Sequence, residues 1–136
     1  MQKNEPIGKQ ILLVEDDPSA RESIKLLLKI DRHHVTEAKD GIEALALLEQ
    51  KTFDLVVLDF FMPGMHGGEV ARHIKRIAPS LPILMVTAYL EKLSGLDTPV
   101  NAVLSKPFAV ADLRNGIAKL LSDQPAKTGP TPRARK

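Results

Sequence analysis

The chain has 136 residues, of which 43% are hydrophobic and 26% charged, the balance of a single globular domain. No apolar stretch approaches the roughly 20 residues that cross a bilayer, the polar start MQKNEPIGKQ lacks the apolar core of a signal peptide, and zero cysteines exclude a disulfide framework, a thiolate nucleophile and a Cys-based zinc site. The formal charge of +2 is uneven: residues 123–136, DQPAKTGPTPRARK, hold four bases and one acid, a balance of +3 that leaves −1 for residues 1–122.

Residues 1–8 read as a flexible start. QILLV (10–14) has the length and continuous apolar character of a buried strand, and it runs into Glu15-Asp16-Asp17. In DDPSARE, Asp17 can cap a helix whose first position Pro18 occupies without losing a hydrogen bond. Ile24, Leu27 and Leu28 then share one face of that helix. HVTEA (34–38) is a second strand, and Gly41 opens a second helix in which Ile42, Leu45 and Leu48 fall at i, i+3 and i+6.

DLVVL (54–58) is a third strand that runs straight into Asp59, followed by a Met-Pro-Gly break. Val70, Ile74 and Ile77 mark the apolar face of a third helix. PILMV (82–86) is a fourth strand ending at Thr87. After it only one or two helical turns fit, around residues 90–93, before Gly95 and Pro99, so this fourth helix is expected to be short or irregular. NAVLS (101–105) ends in Ser105-Lys106-Pro107, and Leu113, Ile117, Leu120 and Leu121 form a last core-facing stripe. Strand–helix alternation of this kind predicts an α/β domain, residues 9–122, with a parallel five-stranded sheet covered by helices on both faces. Residues 123–136 are expected to be a disordered, basic, Pro-containing tail. The tail is read as a solubilising linker end; contact with nucleic acid or an acidic partner is the alternative.

Ligands of such sheets bind beyond the carboxyl ends of the strands, and there the sequence places Glu15, Asp16, Asp59, Thr87 and Lys106. Clustered carboxylates repel unless a cation sits among them. An all-oxygen donor set suits Mg²⁺. A carboxylate can act as nucleophile toward phosphorus, and a metal, a lysine and a hydroxyl supply the charge neutralisation that phosphoryl transfer needs. Taken singly, Asp59 is a strand terminator, Thr87 a strand hydroxyl and Lys106 a surface lysine; the set makes the chemistry. The four histidines (33, 34, 66 and 73) suggest neither a zinc site nor a phosphorylated histidine. No GxGxxG or GxxxxGK[ST] follows any strand, which disfavours nucleotide binding.

ILLVEDDPSAR (11–21), LVVLDFFMPGMHG (55–67), VTA (86–88) and SKPF (105–108) together resemble the receiver domains of two-component response regulators, over roughly residues 9–122. The resemblance implies a flavodoxin-like, doubly wound (βα)5 fold and a stand-alone receiver in the cytoplasm. It implies Asp59 as phosphoacceptor, with Mg²⁺ held by Asp16 and Asp59, by Glu15 through water, and by the backbone carbonyl of Phe61. Thr87 and Lys106 are implied to contact the phosphoryl group, and the Lys106–Pro107 bond to be cis. The implied donor is a histidine kinase or a phosphotransfer protein, with output through protein contacts; no membrane partner is expected, and nucleic acid is disfavoured. The domain is expected not to be an enzyme beyond catalysing its own phosphorylation and dephosphorylation. Phosphohydrolases of the haloacid dehalogenase type need a second Asp two residues after the nucleophile, and here that residue is Phe61.

Two departures from the family stand out. The strand-five aromatic of the usual switch is replaced by Val103, so Tyr89, two residues beyond Thr87, is expected to take over that role. A receiver-like module that interacts without phosphorylation is the alternative reading. Phe61 and Tyr89 also occupy the two positions that flank the acyl phosphate in this family, where bulky rings are expected to exclude the attacking water.

Overall fold

The computed structural model describes residues 8–88 and 98–122. In chain order they form β1 (Gln10–Val14), α1 (Pro18–Ile30), β2 (His34–Ala38), α2 (Gly41–Gln50), β3 (Leu55–Asp59), α3 (Gly67–Ile77), β4 (Ile83–Thr87), β5 (Ala102–Ser105) and α4 (Val110–Ser122). All strand pairs are parallel, in the order β2-β1-β3-β4-β5. The chain therefore reverses its direction of winding between β1 and β3, and ligand crevices of doubly wound sheets open at such a point. The fold is the flavodoxin-like α/β arrangement.

Why β1, β3 and β4 sit in the middle follows from their composition. Their runs ILLV, LVVL and ILMV are fully buried, as strands covered on both faces must be. Each face has its own core. Ile11, Leu13, Leu55, Val57, Leu84 and Val86 pack with Ile24 and Leu28 of α1 and Leu113, Ile117 and Leu121 of α4. Leu12, Val14, Val56, Leu58, Ile83 and Met85 pack with Ala44 of α2 and with Val70, Ala71 and Ile74 of α3. The period-2 alternation of side chains separates the two sets along each strand.

Local chemistry fixes the helix starts. Asp17 Oδ2 accepts the Ala20 N–H at 2.8 Å with Pro18 following, as expected from DDPSARE. Asp40 caps α2 through the Glu43 N–H at 2.8 Å. Two apolar faces differ from expectation. Ile42 is 72% exposed, because the buried stripe of α2 is centred on Gly41 and Ala44. Ile77 is 48% exposed, because it ends α3, whose buried side chains are those of Val70, Ala71 and Ile74. Strand three ends one residue later than its apolar run, so Asp59 is its last rung. The expected fourth helix near residues 90–93, Tyr89, the first seven residues and the tail 123–136 lie outside the described residues. Among the described residues no helix is long and apolar enough to cross a membrane.

Candidate functional site

The strand register assembles the site. Val14 pairs with Leu58, so Glu15 and Asp59, one residue further on each strand, stand side by side at the carboxyl edge. Asp59 pairs with Val86 of β4, and Thr87 with Ser105 of β5. The parallel sheet thus brings residues 15, 16, 59, 87 and 106 together from four strand ends.

Carboxylate oxygens of Glu15, Asp16 and Asp59 lie within 4.8 Å of one another. Glu15 and Asp59 are only 1% and 6% exposed, and Thr87 is fully buried. Lys106 Nζ lies 3.0 Å from Glu15 Oε1 and 3.7 Å from Asp59 Oδ1. The nearer partner of Lys106 is therefore Glu15. The remaining Glu15 oxygen, Oε2, accepts the Asp17 N–H at 3.2 Å. The Lys106 N–H donates to the Thr87 carbonyl at 2.8 Å, which fixes the lysine relative to β4, and the Lys106–Pro107 peptide is cis.

Burial pushes the Asp59 carboxyl up to about 7, assisted by the charges of Glu15 and Asp16 and opposed by Lys106. Burial also works against the charge on Lys106, but its hydrogen bond to Glu15 and the charges of Asp59 and Glu15 outweigh this and raise its pKa. One lysine does not balance three clustered acids. The all-oxygen donor set, and the burial and neighbouring acids that oppose ionisation of Asp59, fit a hard divalent cation such as Mg²⁺. Among the described residues this is the one cluster of three or more potential ligands, and no histidine belongs to it.

Beyond β3 the chain must turn sharply back into α3. Gly64 has φ +80°, which favours glycine, and Gly67 packs so closely on β3 that a Cβ would lie 2.5 Å from the Asp59 carbonyl oxygen. Phe61 is 41% exposed, and its ring meets Phe60 edge-on at 4.7 Å and 80°. Val103 is 39% exposed, opposite Met85 and on the same sheet face as Thr87.

Two residues around the site escape sequence reasoning. Arg21 donates to the Glu15 backbone carbonyl at 2.8 Å. His66 caps α3, its Nδ1 accepting the Glu69 N–H at 3.3 Å. The RE of DDPSARE and the HGGE spacing of residues 66–69 were the available signals.

Fold and site together define a doubly wound α/β domain with an acidic, lysine-bearing pocket at its carboxyl edge. A family profile described as the response regulator receiver domain matches residues 11–118, and the chain belongs to that family. It is 39% identical over 124 residues to the response regulator MprA of Mycobacterium sp. (strain KMS), covering 89% of this chain and 54% of that protein. The M. leprae MprA is 39% identical over 115 residues, covering 82% and 50% respectively. The chain thus spans about half the length of these curated relatives. Among solved structures it is similar to the Thermotoga maritima response regulator TrrA in complex with Mg²⁺-BeF (TM-score 0.79, 34% identity, covering 82% of this chain and 98% of that one). A sensor histidine kinase receiver domain from Pseudomonas aeruginosa, with magnesium coordinated in its active-site cleft, gives a TM-score of 0.79 at 30% identity, covering 84% and 98%.

Proposed function

We propose that Asp59 is the phosphoacceptor of this receiver domain. The observation that supports this most directly is the meeting of Asp59, Glu15, Asp16 and Lys106 at one strand edge, beside Thr87. An Asp59 carboxylate oxygen attacks phosphorus of a phosphohistidine on a histidine kinase or phosphotransfer protein. The O–P bond forms as the N–P bond breaks, and that electron pair returns to the imidazole. Lys106 turns to the phosphoryl oxygens, and the Thr87 hydroxyl donates a hydrogen bond to one of them. Asp16, Asp59, the Phe61 carbonyl and, through water, Glu15 would hold Mg²⁺, which would supply positive charge that keeps Asp59 ionised and offsets the phosphoryl oxygens. The resulting acyl phosphate is hydrolysed at the same site, so the only reactions the domain catalyses are its own phosphorylation and dephosphorylation. Output passes through protein contacts, because phosphorylation biases a packed surface between two arrangements.

Acetyl phosphate with and without Mg²⁺, read by intact mass, tests this. One added phosphoryl group that needs Mg²⁺ and vanishes in Asp59→Asn is the expected result. Val103, which puts a half-exposed aliphatic residue on the β5 edge, favours a second reading, an interaction module that works without phosphorylation. Unmodified mass in every condition would support that reading and overturn the first.

A further inference from the structure

We infer that Arg21, anchored by Glu37, is a positioning residue for the acid pair Glu15-Asp16. The inference rests on the receiver reading of the site. Glu15 must stay buried and hold its carboxylate at the strand edge, yet β1 ends at Val14 and no ladder continues past it. Its backbone is nevertheless held on both sides of its Cα. The Glu15 N–H donates to the Ala38 carbonyl at the end of β2, at 3.1 Å. Its carbonyl accepts the Arg21 Nη1–H at 2.8 Å, and the same guanidinium donates Nε–H to Glu37 Oε1 of β2 at 3.2 Å.

The planar fork of arginine sets both bonds at once. That carbonyl belongs to the peptide plane shared by Glu15 and Asp16, so holding it fixes the plane from which the Asp16 backbone and side chain depart. The Glu37 carboxylate is steadied in turn by Lys25 on its other oxygen, at 3.3 Å. The result is a chain of contacts from the outer strand to the acids, through one guanidinium whose side chain is 22% exposed. Outer contacts that orient metal-binding groups typically change affinity by about 10–100-fold when removed.

The sign of the effect separates positioning from bulk charge. Arg21 is a cation bonded to the carbonyl between Glu15 and Asp16, so its removal should, by charge alone, tighten Mg²⁺ binding. Lost positioning should weaken it. Arg114 is the control, because its bidentate pair with Asp31 at 2.9 and 2.6 Å lies at the opposite end of α1. Isothermal titration with Mg²⁺ is expected to show Arg21→Gln binding about tenfold more weakly, Glu37→Gln in between, and Arg114→Gln as in the wild type. In the metal-free protein, hydrogen exchange at the Asp16 and Asp17 amides is expected to quicken in Arg21→Gln and to stay unchanged in Arg114→Gln. Unchanged or tighter Mg²⁺ binding by Arg21→Gln, beside a binding wild type, overturns the inference alone. Equal weakening in Arg114→Gln also overturns it, since a general loss of stability would then suffice. A wild type that takes up no Mg²⁺ overturns the receiver reading and this inference with it.

Discussion

Gly67 carries the sharpest quantitative test of how α3 is seated on the phosphoacceptor strand. A Cβ there would lie 2.5 Å from the Asp59 carbonyl oxygen, 2.6 Å from Phe60 Cα and 3.2 Å from the Asp59 carbonyl carbon. Comfortable carbon contacts lie near 3.5–4.0 Å, so Gly67→Ala must drive the first turn of α3 about 1 Å off β3. Every obstructing atom is backbone, and none can rotate away. The shift also stretches the 2.7 Å bond from the Gly67 N–H to the Phe60 carbonyl. Overpacking of this kind costs about 1–3 kcal/mol, and rigid partners place Gly67→Ala near 3. For a domain of this size each kcal/mol moves Tm by roughly 3–5 °C, so thermal unfolding should drop by about 10 °C. Gly116→Ala in α4 is the opposite case. Its new Cβ meets only Leu84 methyls at 3.9 Å, ordinary contact, and mid-helix alanine gains about 1 kcal/mol over glycine. Denaturation of the two variants should therefore move in opposite directions. A Gly67→Ala protein as stable as the wild type would refute the close seating of α3.

Asp59 should make the metal-free protein less stable as pH rises. Between its unfolded value of 3.8 and about 7, the native carboxyl holds a proton that the unfolded one has released, so this contribution is full at low pH and lost through the window. Melting at pH 5 and pH 8 in a chelator should show that slope reduced in Asp59→Asn; equal slopes would count against it. Phe61→Asn should shorten the lifetime of the acyl phosphate severalfold by admitting water, as followed by loss of phosphoryl mass over time, and an unchanged lifetime would remove the shielding role. His66→Ala deletes the acceptor that caps α3 and should destabilise the protein by about 1 kcal/mol in urea, while His66→Asp should retain the cap.

The fold was legible because three continuous apolar runs can only be central strands, and because Asp17-Pro18 marks a helix start by local chemistry alone. Ile42 and Ile77 misled for one reason. Short helices offer few turns, and a large aliphatic residue at either end fits the periodicity without reaching the sheet. The acids were legible as strand-end residues, since parallel topology sends every strand end to one edge. Their pairings were not. Whether Lys106 sits closer to Glu15 or to Asp59 depends on how far each side chain reaches across a register no single segment encodes. The Arg21 bond to a backbone carbonyl is hidden for a similar reason, because any residue type could supply that acceptor.

The contact between Glu15 and Lys106 joins residues 91 positions apart, and this bears on the order in which a growing chain becomes functional. β1 and β3, with their clustered acids, leave the ribosome well before β5. Until β5 docks, the acids lack the Lys106 counter-charge, and burying them is opposed by their mutual repulsion. The last strand therefore brings a counter-charge as well as a fifth rung. A nascent or truncated chain lacking it should neither close the sheet edge nor present a competent nucleophile, so competence to receive a signal would come only with completion of the fold.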